Sequence, residues 1–472
     1  MRANRDSIFI IVVVLALIAS TSVAVVTATG AQKVTLRVNG SSAGGGDFTS
    51  SADATATAGG SSTAIPGGDN GSGGTGGTGG TGGTGGTGGT GGTGGTGGTS
   101  QAPGVTADTI KVGGIFSESN GIDATVEEDT VRAYFQYVNS QGGVNGHKLQ
   151  LVSYNDNLNA DQAYQEAARL DQQDHVFAIV GWLAPFGESR AAPYFEQHGI
   201  PIVGGLGVPE EFNNKYSFPV TPIFHTDGYA LGYYGTNPNG PLHFKHVGVF
   251  LTQTAGINDV ANGIRAGAAK NGVTISDNDI VFVPFAATNF DQYLLQFQSR
   301  GVDGLITQLD PFSYVRLYQS EQRTNKTFPH LAGAGIDKQA VDSAIGDQLV
   351  NTYGFMPVLE AQGNPAGNAE VALYNRTVAH YYPNQVQNMD AFSEGTWVSA
   401  RLFVEALRKL GSNITREGLV NALNSGVYDI GGMTRPLNYG ATNGTHAANH
   451  CPSYIVYTSS RRWNITQSFT CY

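Results

Sequence analysis

The sequence predicts an α/β fold in which two doubly wound parallel sheets form two lobes. From about residue 105 to the C-terminus the composition is that of a globular protein, and the region is longer than one hydrophobic core usually fills. Short apolar runs alternate there with amphipathic stretches, in two successive series. A strand–helix–strand order requires right-handed crossovers and a parallel sheet covered on both faces.

Each series supplies four predicted strands, with amphipathic helices between them. In residues 126–140, for example, Val131, Tyr134, Phe135 and Val138 share one helical face. The predicted strands are 110–116, 148–154, 177–180 and 201–203, then 247–251, 280–283, 304–307 and 330–332, and the other helices are 161–172, 189–197, 258–271, 291–299 and 338–344.

The C-terminal part is predicted to be mainly helical. Long helices are expected over residues 367–381 and 391–410, and Thr415 is a good N-cap for a further helix that ends near residue 424. Short strands near residues 428–430, 437–439 and 453–457 close the domain.

The N-terminal part differs sharply from the rest. Residues 1–31 contain Arg2 and Arg5 before an apolar run, a pattern typical of a signal peptide or an N-terminal membrane anchor. Residues 32–104 form a Gly/Thr/Ser-rich linker with nine Gly-Gly-Thr triplets at 73–99, which we expect to be disordered. A retained anchor is favoured, because a long linker serves a purpose when its far end is held. The globular domain, 105–472, is therefore expected outside the cytoplasm at the cell surface, tethered or else secreted after cleavage.

Composition and motifs exclude several function classes. The net charge of −11, without clusters of basic residues, disfavours nucleic acid as a partner. The chain lacks a Gly-x-Ser-x-Gly elbow, a Walker loop and a zinc-protease motif, so an enzyme is disfavoured and no cofactor is expected. His446 and His450 have helical spacing but lie in a Gly/Asn-rich loop, so a metal site is disfavoured.

The two cysteines, Cys451 and Cys471, are expected to form a disulfide rather than to be free thiols, given the export signal.

Several segments resemble, in their order and spacing, one known family. Residues 137–151, YVNSQGGVNGHKLQL, carry the most specific similarity, and residues 109–116, 171–181, 199–202 and 391–411 add to it. Together they resemble the bacterial extracellular solute-binding proteins of the leucine/isoleucine/valine-binding type, which serve ABC importers. The resemblance covers residues 105–472.

This resemblance implies the type I periplasmic-binding-protein fold, with two lobes joined by a three-crossover hinge. Lobe 1 is expected at about 105–222 plus 338–430, and lobe 2 at about 223–337 plus the C-terminal strands. A small amino-acid-like or carboxylate-bearing ligand is then captured in the cleft by hinge closure and delivered to an ABC permease by a monomeric protein. The alternative is a surface-tethered ligand sensor or adhesion module that reuses the same fold.

The resemblance also places the ligand site in the loops that follow the strands, where ligands of such sheets bind. The family's hydroxyl groups are replaced by Ala184–Gly187 after the third strand and by Gly204–Gly207 after the fourth, and its tyrosine by Thr254 or Ala255. The backbone N–H groups of these loops still suit a ligand carboxylate, while Trp182, Phe186 and Leu206 offer an apolar wall for a larger or aromatic ligand. The candidate ligand-binding residues are Ser117, Trp182, Pro185, Phe186, Gly187, Gly205, Leu206, Gly207, Thr254, Ala255, Asp310, Phe312 and Asp337.

Several of these residues also have structural interpretations. Asp310 and Pro311 are turn formers, and Asp337 is a suitable N-cap for the helix 338–344. Trp182 and Phe186 are equally suited to core packing, and the glycines of 204–207 to a plain turn. If Asp310 or Asp337 reaches the cleft, it would pair with a ligand's ammonium group.

Overall fold

The two series of apolar runs form two separate sheets. The computed structural model of the chain describes residues 102–119, 123–442 and 444–472, so the predicted signal peptide or anchor and nearly all of the predicted linker lie outside the described residues. The first sheet has the strand order β2-β1-β3-β4-β5 and is parallel throughout. Its strands are β1 Thr109–Phe116, β2 Lys148–Asn155, β3 Ile179–Val180, β4 Ile202–Val203 and β5 Ser217–Phe218.

The second sheet has seven strands in the order β12-β11-β10-β9-β8-β6-β7. Its core is parallel, and the last two strands of the chain add an antiparallel edge. The predicted two-lobed α/β fold is confirmed. The strands are β6 Val247–Thr252, β7 Ile280–Val283, β8 Gly304–Gln308, β9 His330–Ala332, β10 Tyr353–Met356, β11 Ser453–Tyr457 and β12 Trp463–Gln467.

Helices cover both faces of each sheet, and the predicted ones begin and end within a few residues of the expected positions. The sequence does not predict two of the long helices. These are α5 (Phe224–Thr236), which contains Gly228, Gly232 and Gly235, and α8 (Pro311–Thr324), whose Asp310-Pro311 start is typical of a turn. The helices are α1 Thr125–Ser140, α2 Ala160–Gln172, α3 Glu188–Gln197, α4 Pro209–Phe212, α5 Phe224–Thr236, α6 Ile257–Lys270, α7 Asp291–Arg300, α8 Pro311–Thr324, α9 Gln339–Ile345, α10 Ala369–Tyr381, α11 Ala391–Arg408 and α12 Arg416–Ser425.

Glycines bring the backbones of α5 and α6 into direct contact. A Cβ atom added to Gly228 or Gly232 on α5 would lie 2.0–2.1 Å from a carbonyl oxygen of α6, and one added to Gly263 or Gly267 would lie 2.1–2.2 Å from a carbonyl oxygen of α5. The glycines of α5 have low helix propensity, so the sequence gives little indication of a helix there. In the folded protein the close packing against α6 outweighs this low propensity.

The chain crosses between the lobes three times, as the resemblance implies. The crossings are residues 219–223, residues 357–368 and the segment that leads into β11. Asn449 is buried in the third segment, and its Nδ2 donates to Val220 O at 2.8 Å and to Pro357 O at 3.0 Å. One amide group thus ties all three crossings together.

The boundary between the lobes differs from the predicted one at residue 338. We expected residues 338–430 in the first lobe, but α9 packs on α8, and β10 pairs with β9 in the second sheet. The second lobe therefore continues to Met356. β10 belongs to the second lobe because it pairs with β9 on one side and with the antiparallel edge strand β11 on the other.

The two ends of the described domain are held by local contacts. Ala102–Gly104, predicted as the end of the linker, belong to the domain, since Gly104 O accepts from Lys111 N at 2.8 Å. At the other end the predicted Cys451–Cys471 disulfide is present. Closing this loop of 20 residues stabilises the fold by about 3 kcal/mol in the chain-entropy model.

His446 does not take part in the metal site that its spacing with His450 had raised as an alternative. Its ring is buried and stacks on Phe218, and Nδ1 lies 2.6 Å from Ser217 O. Among the described residues, no helix combines the length and apolar character that spanning a membrane requires.

Replacing Gly267 by Ala should destabilise the protein, because the added methyl group forces two helix backbones apart. We expect a loss of about 2 kcal/mol or more in the free energy of unfolding, measured by urea denaturation. Gly395→Ala is the matched control, since Gly395 is also helical and the nearest atom to an added Cβ is 3.9 Å away. Equal stability of the two variants would contradict the close helix contact.

Candidate functional site

A cavity of about 560 Å³ lies between the two lobes, where the carboxyl ends of strands from both sheets meet. Residues that follow β3 and β4 line it from the first lobe, together with α11. Residues that follow β6, β7, β8 and β9 line it from the second lobe, together with α5, α8 and α9. Most of the lining side chains are apolar, among them Leu183, Leu206, Phe224, Ile257, Val260, Phe285, Leu309, Val315, Val341 and Phe392.

About half of the candidate ligand-binding residues reach this cavity. Their role as ligand contacts stays a prediction, although their position is the expected one. Phe312 stands at the rim, with 54% of its side chain exposed. The candidates that line the cavity are Trp182, Pro185, Gly205, Leu206, Thr254, Asp310 and Phe312.

Four other candidates lie outside the lining and serve the fold. Ser117 is buried and its Oγ donates to Asp156 at 2.6 Å. Gly187 is the N-cap residue of α3, and Gly207 donates its N–H to a side chain on α4. Asp337 is fully buried, and its Oδ1 accepts from Gly335 N at 3.1 Å. It is not the helix cap either, because Lys338 occupies the N-cap position of α9.

The last two candidates, Phe186 and Ala255, join the lobes instead of lining the cavity. Ala255 N donates to Pro185 O at 3.2 Å. The ring of Phe186 packs edge-on against Phe285, with 6.4 Å between the ring centres. These contacts, named here the latch, connect the loop after β3 to the loops after β6 and β7, so the lobes touch beside the cavity.

Two buried glutamates bind the backbone N–H groups that were expected to hold a ligand carboxylate. Glu188 accepts from Ala184 N at 3.0 Å and from Leu206 N at 2.9 Å. Glu211 accepts from Gly207 N at 3.0 Å and from Trp182 Nε1 at 3.2 Å. Both side chains are fully buried. The loops after β3 and β4 therefore have these donors satisfied by the protein itself, and a ligand carboxylate would have to displace a glutamate there.

Asp310 is likewise engaged within the protein. It caps α8 by accepting from Ser313 N at 3.0 Å, and it also accepts from Thr252 Oγ1 at 3.0 Å and Ala286 N at 3.2 Å. The turn interpretation of Asp310 is thus realised as a helix cap. The carboxylate of Asp310 is therefore not free to pair with the ammonium group of a ligand.

Sequence reasoning missed several charged groups of the lining, most of which lie on helices or at helix N-caps. Lys338 and Asp390 form a buried ion pair at 3.3 Å that joins the lobes. Burial alone would lower the pKa of Lys338, but the carboxylates of Asp390 and Glu127 raise it above its ordinary value. Arg316 is exposed on α8 at the cavity rim, where its Nη1 donates to Gln319 Oε1 at 2.8 Å.

Asp227, on α5, also lines the cavity and was missed because α5 was not predicted. Its Oδ1 is buried and has no hydrogen-bond partner within the described part of the chain. Burial raises the pKa of Asp227 well above its ordinary value. The cavity thus favours the neutral carboxyl form, which suits its apolar surroundings.

Comparison with known proteins agrees with this geometry. The sequence model of a periplasmic binding protein family matches residues 109–461. The chain belongs to this family. An amino acid binding protein of Pseudomonas aeruginosa is 28% identical over 166 residues, which are 34% of this chain and 44% of that protein. The chain thus matches less than half the length of this relative.

Solved structures of the family share the fold at low sequence identity. A fatty acid ABC transporter substrate-binding protein from Thermomonospora curvata has a TM-score of 0.67 at 18% identity, over 79% of this chain and 95% of that one. A branched-chain amino acid ABC transporter protein from Thermus thermophilus with bound valine also has a TM-score of 0.67, at 16% identity, over 77% and 97%. The type I periplasmic binding fold expected from the sequence is therefore confirmed.

The buried glutamate pair should make stability depend on pH. Burial raises the pKa of Glu188 from its ordinary 4.5 to about 7, and burial together with the charge of Glu188 raises that of Glu211 well above its ordinary value. Between about pH 4.5 and 7 these glutamates keep protons in the folded protein that they have lost in the unfolded chain. The free energy of unfolding should therefore fall as pH rises from about 4.5 to 7, by up to about 1.4 kcal/mol per pH unit for each such proton.

Urea denaturation across this pH range measures the effect. Glu188→Gln should reduce the slope, while Glu210→Gln, an exposed neighbour of Glu211 on α4, should retain it. A slope that is the same in both variants would show that the pair is not the origin of the pH dependence.

Proposed function

We propose that this protein is an extracytoplasmic solute-binding protein that captures a small, largely apolar solute and delivers it to an ABC importer. The interlobe cavity is the observation that carries the proposal. Its volume of about 560 Å³ and its apolar lining, interrupted by a few polar groups, are those of a small-molecule site. Family membership supports the transport role and the extracytoplasmic location. Residues 1–31 and the linker would hold the domain at the membrane.

The polar contacts favour an apolar carboxylic acid over an α-amino acid. The N–H groups of Ala184, Leu206 and Gly207 are engaged by glutamates, and Asp310 is engaged as a helix cap. Arg316 at the rim remains as a donor for a carboxylate. The ligand therefore lies with its apolar part inside the cavity and its carboxylate at Arg316. One of the similar solved structures is named as a fatty acid transporter substrate-binding protein, and fatty acids are apolar carboxylic acids.

Hinge closure is the proposed mechanism of capture. When a solute enters the open cleft, its apolar surface contacts both lobes and favours the closed form, because only that form buries it on all sides. The latch and the Lys338–Asp390 ion pair add contacts between the lobes in that form. The three crossings, tied by Asn449, are then the segment about which the lobes rotate.

A thermal-shift panel on the purified protein tests the solute class. We expect saturated monocarboxylic acids of medium chain length to raise the melting temperature by about 3 °C near 100 times their Kd. Leucine and valine should give no shift at the same concentrations, because Asp310, the carboxylate expected to pair with their ammonium group, is engaged as a helix cap. A shift with leucine or valine alone would contradict the proposed class, and no shift with any solute would favour the sensor or adhesion alternative.

Filling the cavity should abolish binding without unfolding the protein. Gly395 lines the cavity and an added Cβ meets only one atom within 4 Å, so Gly395→Leu should project into the space that the solute needs. We expect at least a tenfold weaker binding of a responding acid, measured by calorimetric titration. The control is Arg408→Leu, at an exposed position near the other end of α11. Unchanged binding in Gly395→Leu would exclude the cavity as the binding site.

Removing the charge of Arg316 tests how the carboxylate is held. Arg316→Gln should weaken binding of an acid by about tenfold, the lower end of what a charge-assisted hydrogen bond contributes, because the rim is exposed. Binding of the methyl ester of the same acid should hardly change. Arg376→Gln, at an exposed position of α10 outside the lining, is the control. An equal loss for acid and ester would show that Arg316 does not contact the carboxylate.

A further inference from the structure

Three buried carboxylates from three different segments converge near the hinge. Asp337, Glu360 and Glu394 each offer one oxygen, and these three oxygens lie within 4.8 Å of one another. All three side chains are almost inaccessible to solvent, with 0–2% exposure. Burying three charged carboxylates without a counter-charge would cost a large amount of folding free energy.

Each carboxylate is held in the same way. One oxygen accepts from a backbone N–H: Asp337 Oδ1 from Gly335 at 3.1 Å, Glu360 Oε1 from Gln362 at 2.6 Å and Glu394 Oε1 from Ala361 at 2.8 Å. The other oxygen of each is buried and has no hydrogen-bond partner among the described residues. The backbone therefore fixes one oxygen of each carboxylate and leaves the other oxygen without a partner.

No cation of the described chain neutralises this group directly. Lys338 is the nearest basic side chain in sequence, and it pairs with Asp390 and lies near Glu127. Burial raises the pKa of all three groups, that of Asp337 to about 7; the charge of Asp390 raises it at each of them, and that of Asp337 raises it at the two glutamates. Without a bound cation, the cluster is forced to hold protons near neutral pH.

We propose that Asp337, Glu360 and Glu394 bind one Ca²⁺ ion through their three unpartnered oxygens. Calcium takes oxygen ligands at about 2.4 Å, so three oxygens that lie within 4.8 Å of one another can all contact one ion. Water would complete the coordination sphere. Backbone N–H groups that fix the second oxygen of each ligand are the outer-shell contacts that metal sites need.

The position of the ion gives it a mechanical role. Asp337 follows β9 in the second lobe, Glu360 lies in the second crossing, and Glu394 lies on α11 of the first lobe. One ion would thus connect both lobes and a hinge segment. Their sequence neighbours Lys338 and Gly395 line the cavity, so the ion stabilises the geometry of the hinge beside the solute site.

Calorimetric titration and thermal unfolding of the purified protein, without any solute, test this proposal independently of the proposed function. We expect Ca²⁺ at 100 times its Kd to raise the melting temperature by about 3 °C relative to EDTA. The same titration in two buffers of different ionisation enthalpy should show release of protons at pH 7, because the ion replaces them. Mg²⁺ should bind more weakly in this buried site, since it gives up its bound waters reluctantly.

Glu360→Gln removes one ligand charge and should weaken Ca²⁺ binding at least about tenfold, and Glu394→Gln provides a second variant should the first fail to fold. Asp156→Asn is the matched control, because Asp156 is another buried carboxylate with an unpartnered oxygen, outside the cluster. It should retain the full Ca²⁺ shift. Absence of a Ca²⁺ effect in the wild type overturns the proposal and identifies a protonated cluster. An equal shift in wild type and Glu360→Gln overturns it as well, since the ion then binds elsewhere.

Discussion

Buried backbone N–H groups must find an acceptor, and in the loops after β3 and β4 that acceptor is a glutamate. Glu188 and Glu211 satisfy Ala184, Leu206 and Gly207, and Glu211 also accepts from the indole of Trp182. The arrangement of both loops depends on this pair. It also determines the chemistry of the cleft, because donors that are engaged by the protein are not free for the ligand. What remains is a largely apolar cavity whose lining also includes Asp227 and the Lys338–Asp390 pair, with Arg316 at the rim.

The hinge shows the same dependence on a few buried polar groups. Asn449 links the first and second crossings from the third, and Lys338 pairs with Asp390 across the lobes. Asp337, Glu360 and Glu394 also bring carboxylate oxygens within 4.8 Å of one another, and each of the three residues has one oxygen without a partner. Most of each hydrophobic core lies within one lobe, whereas these polar contacts connect the lobes to each other.

The sequence predicted most of the fold because its strands are strongly apolar and its helices amphipathic. It missed α5, where glycines that allow contact with α6 reduce the helical signal, and α8, whose Asp310-Pro311 start is equally typical of a turn. Strand β10 is short, and its assignment to the second sheet depends on pairing with β9 and β11, which are distant along the chain.

The candidate site was predicted less completely, for a related reason. Trp182, Leu206 and Thr254 are candidates because they follow predicted strands, and all three line the cavity. However, no local pattern reveals that Glu211 on α4 reaches Gly207 and Trp182, or that Asp310 is used as a cap. Those contacts depend on tertiary packing. They change the expected chemistry of the site from a carboxylate-binding loop to an apolar chamber.

A crystal structure of the protein with a responding acid bound is the most direct test. The account predicts that the apolar part of the ligand fills the interlobe cavity, that its carboxylate lies near Arg316, and that Glu188 and Glu211 keep their hydrogen bonds to the loops after β3 and β4. A ligand carboxylate bound to the N–H groups of Ala184, Leu206 or Gly207, with the glutamates displaced, would contradict it.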